Sequence, residues 1–491
     1  MTDARADVVV VGAGHNGLVA AAYLARAGYS VIVCEARRVV GGAAVTEEFA
    51  PGFRVSTASY SLSLLRPDVY GELDLARHGL VVMPKDPQMF VPLPDGRHFF
   101  VWRDSARTRD ELERIRPGEG DAYARWSAFW DGAVAELRPL VDAPDPPPLD
   151  RLRSVLPDDV WRLAVGGSAA SAVEEFFSAP EVQGAFASQG IIGTWAGVRE
   201  PGTAWVMAYH LVGGEVNGAD GTWAYVRGGM GGVSRAIAAA AREAGAEIRV
   251  DARVAEILPD GGVRLGSGEV VRARAVVSNG HPVTTFALAG LQPPRDWKTP
   301  GCVLKVNLAL SELPDFVALP GVGPQQEGTV EISPSIDYLQ TAYEDALRGE
   351  PSARPFMEVF IQSAVDRSLV DGDGHVLSAF TQYVPPSVED WPAVRERATQ
   401  NVIDTLASYA PNVRDAIVAS DVLGPPELEE RFGLVGGNIF HGEITPEQSF
   451  GNRFDYRMPL PGLYLCGSGA RPGGGVMGAA GRNAARVVIA D

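Results

Sequence analysis

The segment VVVVGAGHNG, Val8 to Gly17, restricts what this chain can fold into more than any other stretch. Four valines with no polar alternation predict a strand buried on both faces, as in the middle of a parallel sheet. The strand runs into Gly12-Ala13-Gly14-His15-Asn16-Gly17, then into a small-residue helix over Leu18–Ala27 with Gly28 as its C-cap. A second strand, Ser30–Cys34, follows and ends on Glu35. This is the β-GxGxxG-α-β-acid pattern of a dinucleotide site. The first glycine makes the tight turn, the second lets backbone approach a pyrophosphate, and the third lets helix and strand pack closely. The helix N-terminus offers unpaired N–H groups and a partial positive charge to phosphates. Glu35 is placed to accept hydrogen bonds from an adenosine ribose. A glycine-rich packing turn is the competing reading of the same residues.

The size and charge of the chain narrow its partners. A length of 491 residues implies two or three lobes. A net charge of −18 argues against nucleic acid, which needs a basic face, and leaves membrane contact at most peripheral. Cys34, Cys302 and Cys466 lie far apart, without CxxC or metal-ligand spacing, so no disulfide framework and no metal site is expected. No leader-like segment opens the chain and no apolar run reaches the roughly 18 residues of a membrane span. A cytoplasmic location is the expectation.

Glu35 is followed by Ala36-Arg37-Arg38-Val39-Val40-Gly41-Gly42. A glycine pair six residues past the acid resembles the extended signature of FAD enzymes of the glutathione-reductase-like class, in which this loop lies along the diphosphate. Many such enzymes have arginine after the glycines; here it is Ala43, which leaves phosphate charge to backbone N–H groups, the helix dipole, and Arg37 or Arg38. Between Pro51 and Asp220 the chain is rich in aromatics, with helices expected over Asp121–Leu137 and Trp161–Phe177 joined by a proline-rich connector. Arg227-Gly228-Gly229-Met230-Gly231-Gly232 then opens a helix over Val233–Ala244. Strands at Ala246–Val250, Arg253–Leu258 and within Glu269–Ser278 follow, and Val254 is placed to present backbone to an adenine ring. Cys302–Leu310, Phe356–Ser363 and Val376–Val384 alternate as strands of a separate sheet. Pro392–Ala410 reads as a helix with proline in its first turn, and Leu463–Cys466 as a last buried strand.

Several of these stretches, VVVVGAGHNGLVAAAYLARAG, VVGGAAVTEE, YVRGGMGGVSRAI, LSAFTQYVP, GGNIFHGEIT and GLYLCGSGARPGGGVMGAAGRNAA, resemble the phytoene-desaturase-type FAD oxidoreductases. The pattern is most like the phytoene-dehydrogenase-like branch labelled as pyridine nucleotide-disulfide oxidoreductase domain proteins. The resemblance implies an α/β fold: a Rossmann-like FAD-binding domain of the glutathione-reductase-like class with an inserted α+β substrate domain of antiparallel sheet and helices. The FAD domain is then expected from residues 1–75, 221–290 and 456–491, a helical substrate lobe from 76–220, and the substrate sheet from 291–455. FAD contacts fall on Gly12, Gly14, Asn16, Gly17, Glu35, Ala36, Arg37, Gly41, Gly42 and Val254, and at the C-terminus on Gly467, Ser468, Gly475, Val476 and Met477. A helix starting near Val476 is expected to point its positive end at the flavin. Relatives commonly carry threonine and histidine where this chain has Ala470 and Arg471. Arg471 can then stabilise reduced flavin, hold an acidic substrate group, or form a structural ion pair.

Hydride transfer to flavin N5 needs positioning and exclusion of water more than a strong acid or base. His441 matches a family histidine, Lys305 lies on a strand able to reach the flavin edge, and Tyr60 and His210 match positions lining the cavity. Lys305 also reads as an ordinary lysine snorkelling from a strand. These are the candidate chemical groups, with Arg471. The resemblance implies an FAD-dependent dehydrogenase or desaturase acting on an apolar small molecule, with oxygen or a quinone as acceptor. Oxidation of an amine or amino-acid-derived metabolite, a flavin-dependent isomerase, and a non-catalytic flavoprotein are the alternatives.

Overall fold

The computed structural model describes residues 4–213, 215–216, 219–220 and 223–491. The expected start of the second FAD-domain segment, residue 221, lies outside the described residues. Val8–Val11 is completely paired and buried, and becomes the middle strand of a five-stranded parallel sheet. The order is Glu247–Arg249, Val31–Cys34, Val8–Val11, Ala275–Ser278, Leu463–Leu465, so three distant parts of the chain build one sheet. Burial on both faces explains the continuous valine run. The first helix, His15–Arg26, begins inside the glycine motif, earlier than the apolar spacing suggested, and stops before Gly28, whose φ of 91° suits a residue without Cβ. It packs against Gly231–Glu243 and Ala479–Ala490. The last of these starts at Ala479, after Gly478 at φ 76°, rather than near Val476.

The second sheet has seven strands in the order Ile417–Leu423, Val303–Leu310, His375–Gln382, Phe356–Phe360, Thr329–Ile332, Met89–Pro92, His98–Val101. All neighbours are antiparallel except Thr329–Ile332 beside Met89–Pro92. Its last two strands come from the 76–220 segment, so that segment supplies sheet as well as helices. The helix expected over Trp161–Phe177 is two, Asp158–Ala164 and Ala169–Glu174. The break falls where Gly167 lies against the Arg162 carbonyl and Ser168 caps the second helix through the Ser171 N–H.

Alternation sorts the faces of this sheet. Leu304, Val306 and Leu308 pack with Ala398, Val402 and Leu406 of the helix Trp391–Tyr409. Val303, Phe360 and Phe380 face the other way, towards the core shared with the helices Glu119–Asp142 and Thr203–Leu211. Among the described residues no helix is long and apolar enough to cross a membrane.

Candidate active site

The carboxyl ends of the parallel strands deliver the glycine motifs to one place. Asn279, just past Ala275–Ser278, accepts the Gly17 N–H at 3.1 Å through Oδ1, and a Cβ on Gly14 would lie 2.5 Å from its Nδ2. Gly41 donates to the Ala13 carbonyl at 2.8 Å and bridges Gly14, so the second glycine pair lies along the first loop. Gly41 and Gly42 both hold positive φ, 126° and 56°. Glu35 is buried, its Oε2 accepting from Ala13 N at 2.7 Å and its Oε1 from Arg37 N at 2.8 Å. Ala252 N–H donates to the Glu35 carbonyl at 2.8 Å, which brings the strand Val254–Ile257 beside the acid. From the C-terminus, Gly467 abuts the Asn279 carbonyl.

Gly14, Gly41, Gly42, Ser468, Gly475 and Val476 line one end of a cavity between the two sheets. Tyr60, Lys305, His210 and His441 open onto the same cavity. Gly12, Asn16, Gly17, Glu35, Ala36, Arg37, Val254, Gly467 and Met477 stand outside its lining. Met477 turns its side chain into the helical core, and its carbonyl is taken by the Arg66 N–H at 3.0 Å.

Four of the seven histidines, His15, His210, His281 and His441, line this cavity. Burial pushes His15 and His210 down to about 4. Burial and then the Arg453 charge bring His281 to about 3, and His441 lies well below the usual range for the same reasons and through its histidine neighbours. All four are neutral near pH 7. His281 Nδ1 accepts the Val283 N–H at 3.1 Å, which places the ring proton on Nε2. Among the described residues His281 Nε2, His441 Nδ1 and His15 Nε2 are buried without a partner, and the His281 and His441 rings are 5.1 Å apart. Bare donors and acceptors inside a glycine-lined cavity fit a ligand with a polar, hydrogen-bonding edge. His281 was missed in the sequence; the signal for it is position, two residues past a buried strand at the carboxyl edge of the parallel sheet.

Comparison with known proteins decides what that ligand is. The family described as flavin containing amine oxidoreductase matches residues 17–300. Over 99% of its length the chain is 37% identical to the mouse protein named pyridine nucleotide-disulfide oxidoreductase domain-containing protein 2, of which it covers 93%. The chain belongs to the flavin-containing amine oxidoreductases. It is also 25% identical to the phytoene desaturase (neurosporene-forming) of Cereibacter sphaeroides, over 96% of this chain and 92% of that one. Cyclohexylamine oxidase from Brevibacterium oxydans shares the fold at a TM-score of 0.60 and 19% identity, over 100% of this chain and 99% of the other. The protein is therefore an FAD-dependent oxidoreductase, and the resemblance read from its motifs holds.

In this flavoprotein Lys305 does not snorkel. Its side chain is buried on Val303–Leu310, and Nζ donates to Asn307 Oδ1 at 2.9 Å, to Ser378 Oγ and to the Ser56 carbonyl at 3.4 Å. All three acceptors are uncharged. Burial therefore drives its pKa from 10.5 to about 7, partly offset by Asp421. The unfolded chain binds this proton more tightly, so between pH 7 and 10.5 stability rises with pH, and the cost of the buried charge is complete below that window. Lys305→Met is expected to flatten the pH dependence there by up to about 1.4 kcal/mol per pH unit. Denaturant midpoints of both proteins against pH check this; parallel curves contradict it.

Arg471 requires a correction. Its guanidinium points away from the cavity, pairing with Asp145 at 2.8 Å and donating to the Gly451 and Arg453 carbonyls at 2.9 and 3.3 Å. Of the three roles read from the motif, the structural ion pair is the one its geometry supports. The buried arginine near the histidines is Arg453, which the sequence reading overlooked. It donates to the carbonyls of Phe440, Glu443, Gln448 and Ser468, tying the loop that carries His441 to the C-terminal glycine segment. Its pKa is lowered to about 10 by burial, so it remains a cation near neutrality.

Proposed function

We propose that this flavoprotein is a dehydrogenase of the desaturase type, removing hydride from a largely apolar small molecule held in the cavity between the two sheets. One observation carries the reading: beyond the glycine end the wall is apolar, with Ile192, Val303, Phe380, Leu434 and Ile439, and among the described residues it holds no carboxylate. An ammonium substrate would meet buried Lys305 with no anion to balance it, which disfavours amine oxidation.

FAD supplies the hydride acceptor, and oxygen or a quinone serves as the final one. The FAD domain is read as the glutathione-reductase-like class. The backbone N–H groups of Gly14, His15 and Asn16 at the start of His15–Arg26 hold the diphosphate, with Gly41, Gly42 and Ser468 alongside. Glu35 keeps free lone pairs for the ribose while both oxygens accept backbone N–H groups. Ala36, Arg37 and the backbone at Val254 border the adenine end. Gly475, Val476 and the Met477 N–H face the flavin ring, and a Cβ on Gly475 would lie 2.5 Å from Leu64. His281 donates through Nε2–H, and Lys305 and His441 hold fixed positions on the cavity wall. The test is anaerobic mixing of the yellow protein with isoprenoid, acyl and amine compounds. Bleaching by an isoprenoid or acyl compound is expected; bleaching by amines alone overturns the substrate class.

A further inference from the structure

Behind Tyr60 the cavity wall hides a second polar cluster. The Tyr60 ring lies 4.6 Å from Phe360 and 5.1 Å from Phe380, centre to centre, and its hydroxyl donates at 3.0 Å to Oε2 of Glu358, which stands outside the cavity lining. Glu358 Oε1 accepts from Gln189 Nε2 at 3.1 Å. Directly across the antiparallel pair sits Glu331, whose Oε1 accepts from Ser333. Lys85 completes the cluster, its Nζ donating to Thr329 Oγ1 at 3.0 Å and lying 4.2 Å from the Phe360 ring centre and 4.7 Å from that of Tyr225. Glu331, Glu358 and Lys85 are 0%, 3% and 2% exposed, so none can shed its charge into water.

Two carboxyls facing each other in such a place do not both ionise. Burial and the neighbouring Glu358 raise Glu331 well above the carboxylate range, making it the neutral member. Glu358 is also raised by burial, against the pull of the Gln189 and Tyr60 hydrogen bonds and the Lys85 charge. Lys305 is the other charged group on this side of Tyr60, 5.4 Å from its ring centre, and Tyr225 donates away to the Gly328 carbonyl at 3.2 Å.

We propose that Tyr60 and Glu358 form a proton relay out of the cavity. Bound FAD would take one substrate hydrogen with both electrons of its C–H bond; the adjacent C–H proton passes to the Tyr60 oxygen and the Tyr60 hydrogen passes to the Glu358 carboxylate. The electrons of the second C–H bond become the new double bond, Tyr60 ends as it began, and Glu358 ends protonated. Once hydride has begun to leave, the adjacent C–H is acidic enough for a phenol backed by a carboxylate. Tyr60 is the catalytic residue, Glu358 takes the proton through it, and Glu331 is a positioning residue that stays neutral.

The inference rests on the dehydrogenase reading, and the experiment separates the two. With the panel compound that bleaches wild-type protein fastest, Tyr60→Phe, which keeps the ring, is expected to keep its flavin and bleach roughly 100-fold more slowly. Infrared spectra give a readout apart from rate. Resting protein should show a protonated-carboxyl band that Glu331→Gln removes, and wild-type protein should gain another on bleaching that Glu358→Gln lacks. Wild-type bleaching in Tyr60→Phe, or no carboxyl band gained, overturns the relay alone. Failure of every compound to bleach wild-type protein overturns the dehydrogenase reading, and the relay with it.

Discussion

Arg453→Ala is expected to destabilise the protein by roughly 3–5 kcal/mol and to release much of its flavin. The guanidinium is 2% exposed and its planar fork serves four carbonyls at once, those of Phe440, Glu443, Gln448 and Ser468. Alanine leaves those carbonyls unpaired in a dry interior, where each lost partner costs about 1–3 kcal/mol before relaxation. The damage spreads to the cavity, because Arg453 joins Ser468 to the loop bearing His441. The same change at Arg471 is expected to cost less, about 1–2 kcal/mol, since its ion-pair partner Asp145 is 92% exposed and two carbonyls rather than four lose a donor. Denaturant unfolding and flavin content of the two variants, side by side, check the contrast. Equal losses at both positions contradict it.

Glu35→Ala should give a folded protein whose flavin content falls at least about tenfold, the equivalent of 1.4 kcal/mol of binding. Two effects act together. The change removes the acceptor assigned to the ribose, and it leaves the N–H groups of Ala13 and Arg37 without the bonds that shape the loop. Glu35→Gln keeps one carbonyl oxygen and should retain more flavin than alanine. Flavin released on denaturation, per chain, is the measurement. Unchanged content in Glu35→Ala contradicts the ribose assignment.

What the chain reveals before folding follows the range of the interactions involved. Val8–Val11, the two glycine motifs and Leu463–Leu465 were legible because each is set by its own local pattern, a continuous apolar run or a residue forced to positive φ. The single helix drawn over Trp161–Phe177 failed because apolar spacing continues through Gly166-Gly167, where backbone contact ends the first helix. Met89–Pro92 and His98–Val101 join a sheet whose other strands begin two hundred residues on, and alternation reports a strand's face, not its neighbour. Arg471 stands inside the glycine motif, yet its side chain turns to Asp145, while Arg453, in an unremarked stretch, reaches the histidines. Tyr60 was visible as a cavity residue, but its partner Glu358 is 298 positions away and carries no local signal. Nothing local marks Glu331 as its neutral neighbour either.

The central claim is that an apolar substrate meets FAD in the cavity between the sheets. Val303 lines that cavity on the substrate side, away from the glycine loops, so Val303→Trp fills the space while leaving the dinucleotide end intact. The decisive measurement is anaerobic bleaching of wild-type and Val303→Trp protein by the same isoprenoid and acyl compounds. Equal flavin content with bleaching in wild type and little in the variant is the predicted result. Bleaching of the variant at the wild-type rate, or no bleaching of wild type by any apolar compound, contradicts the claim.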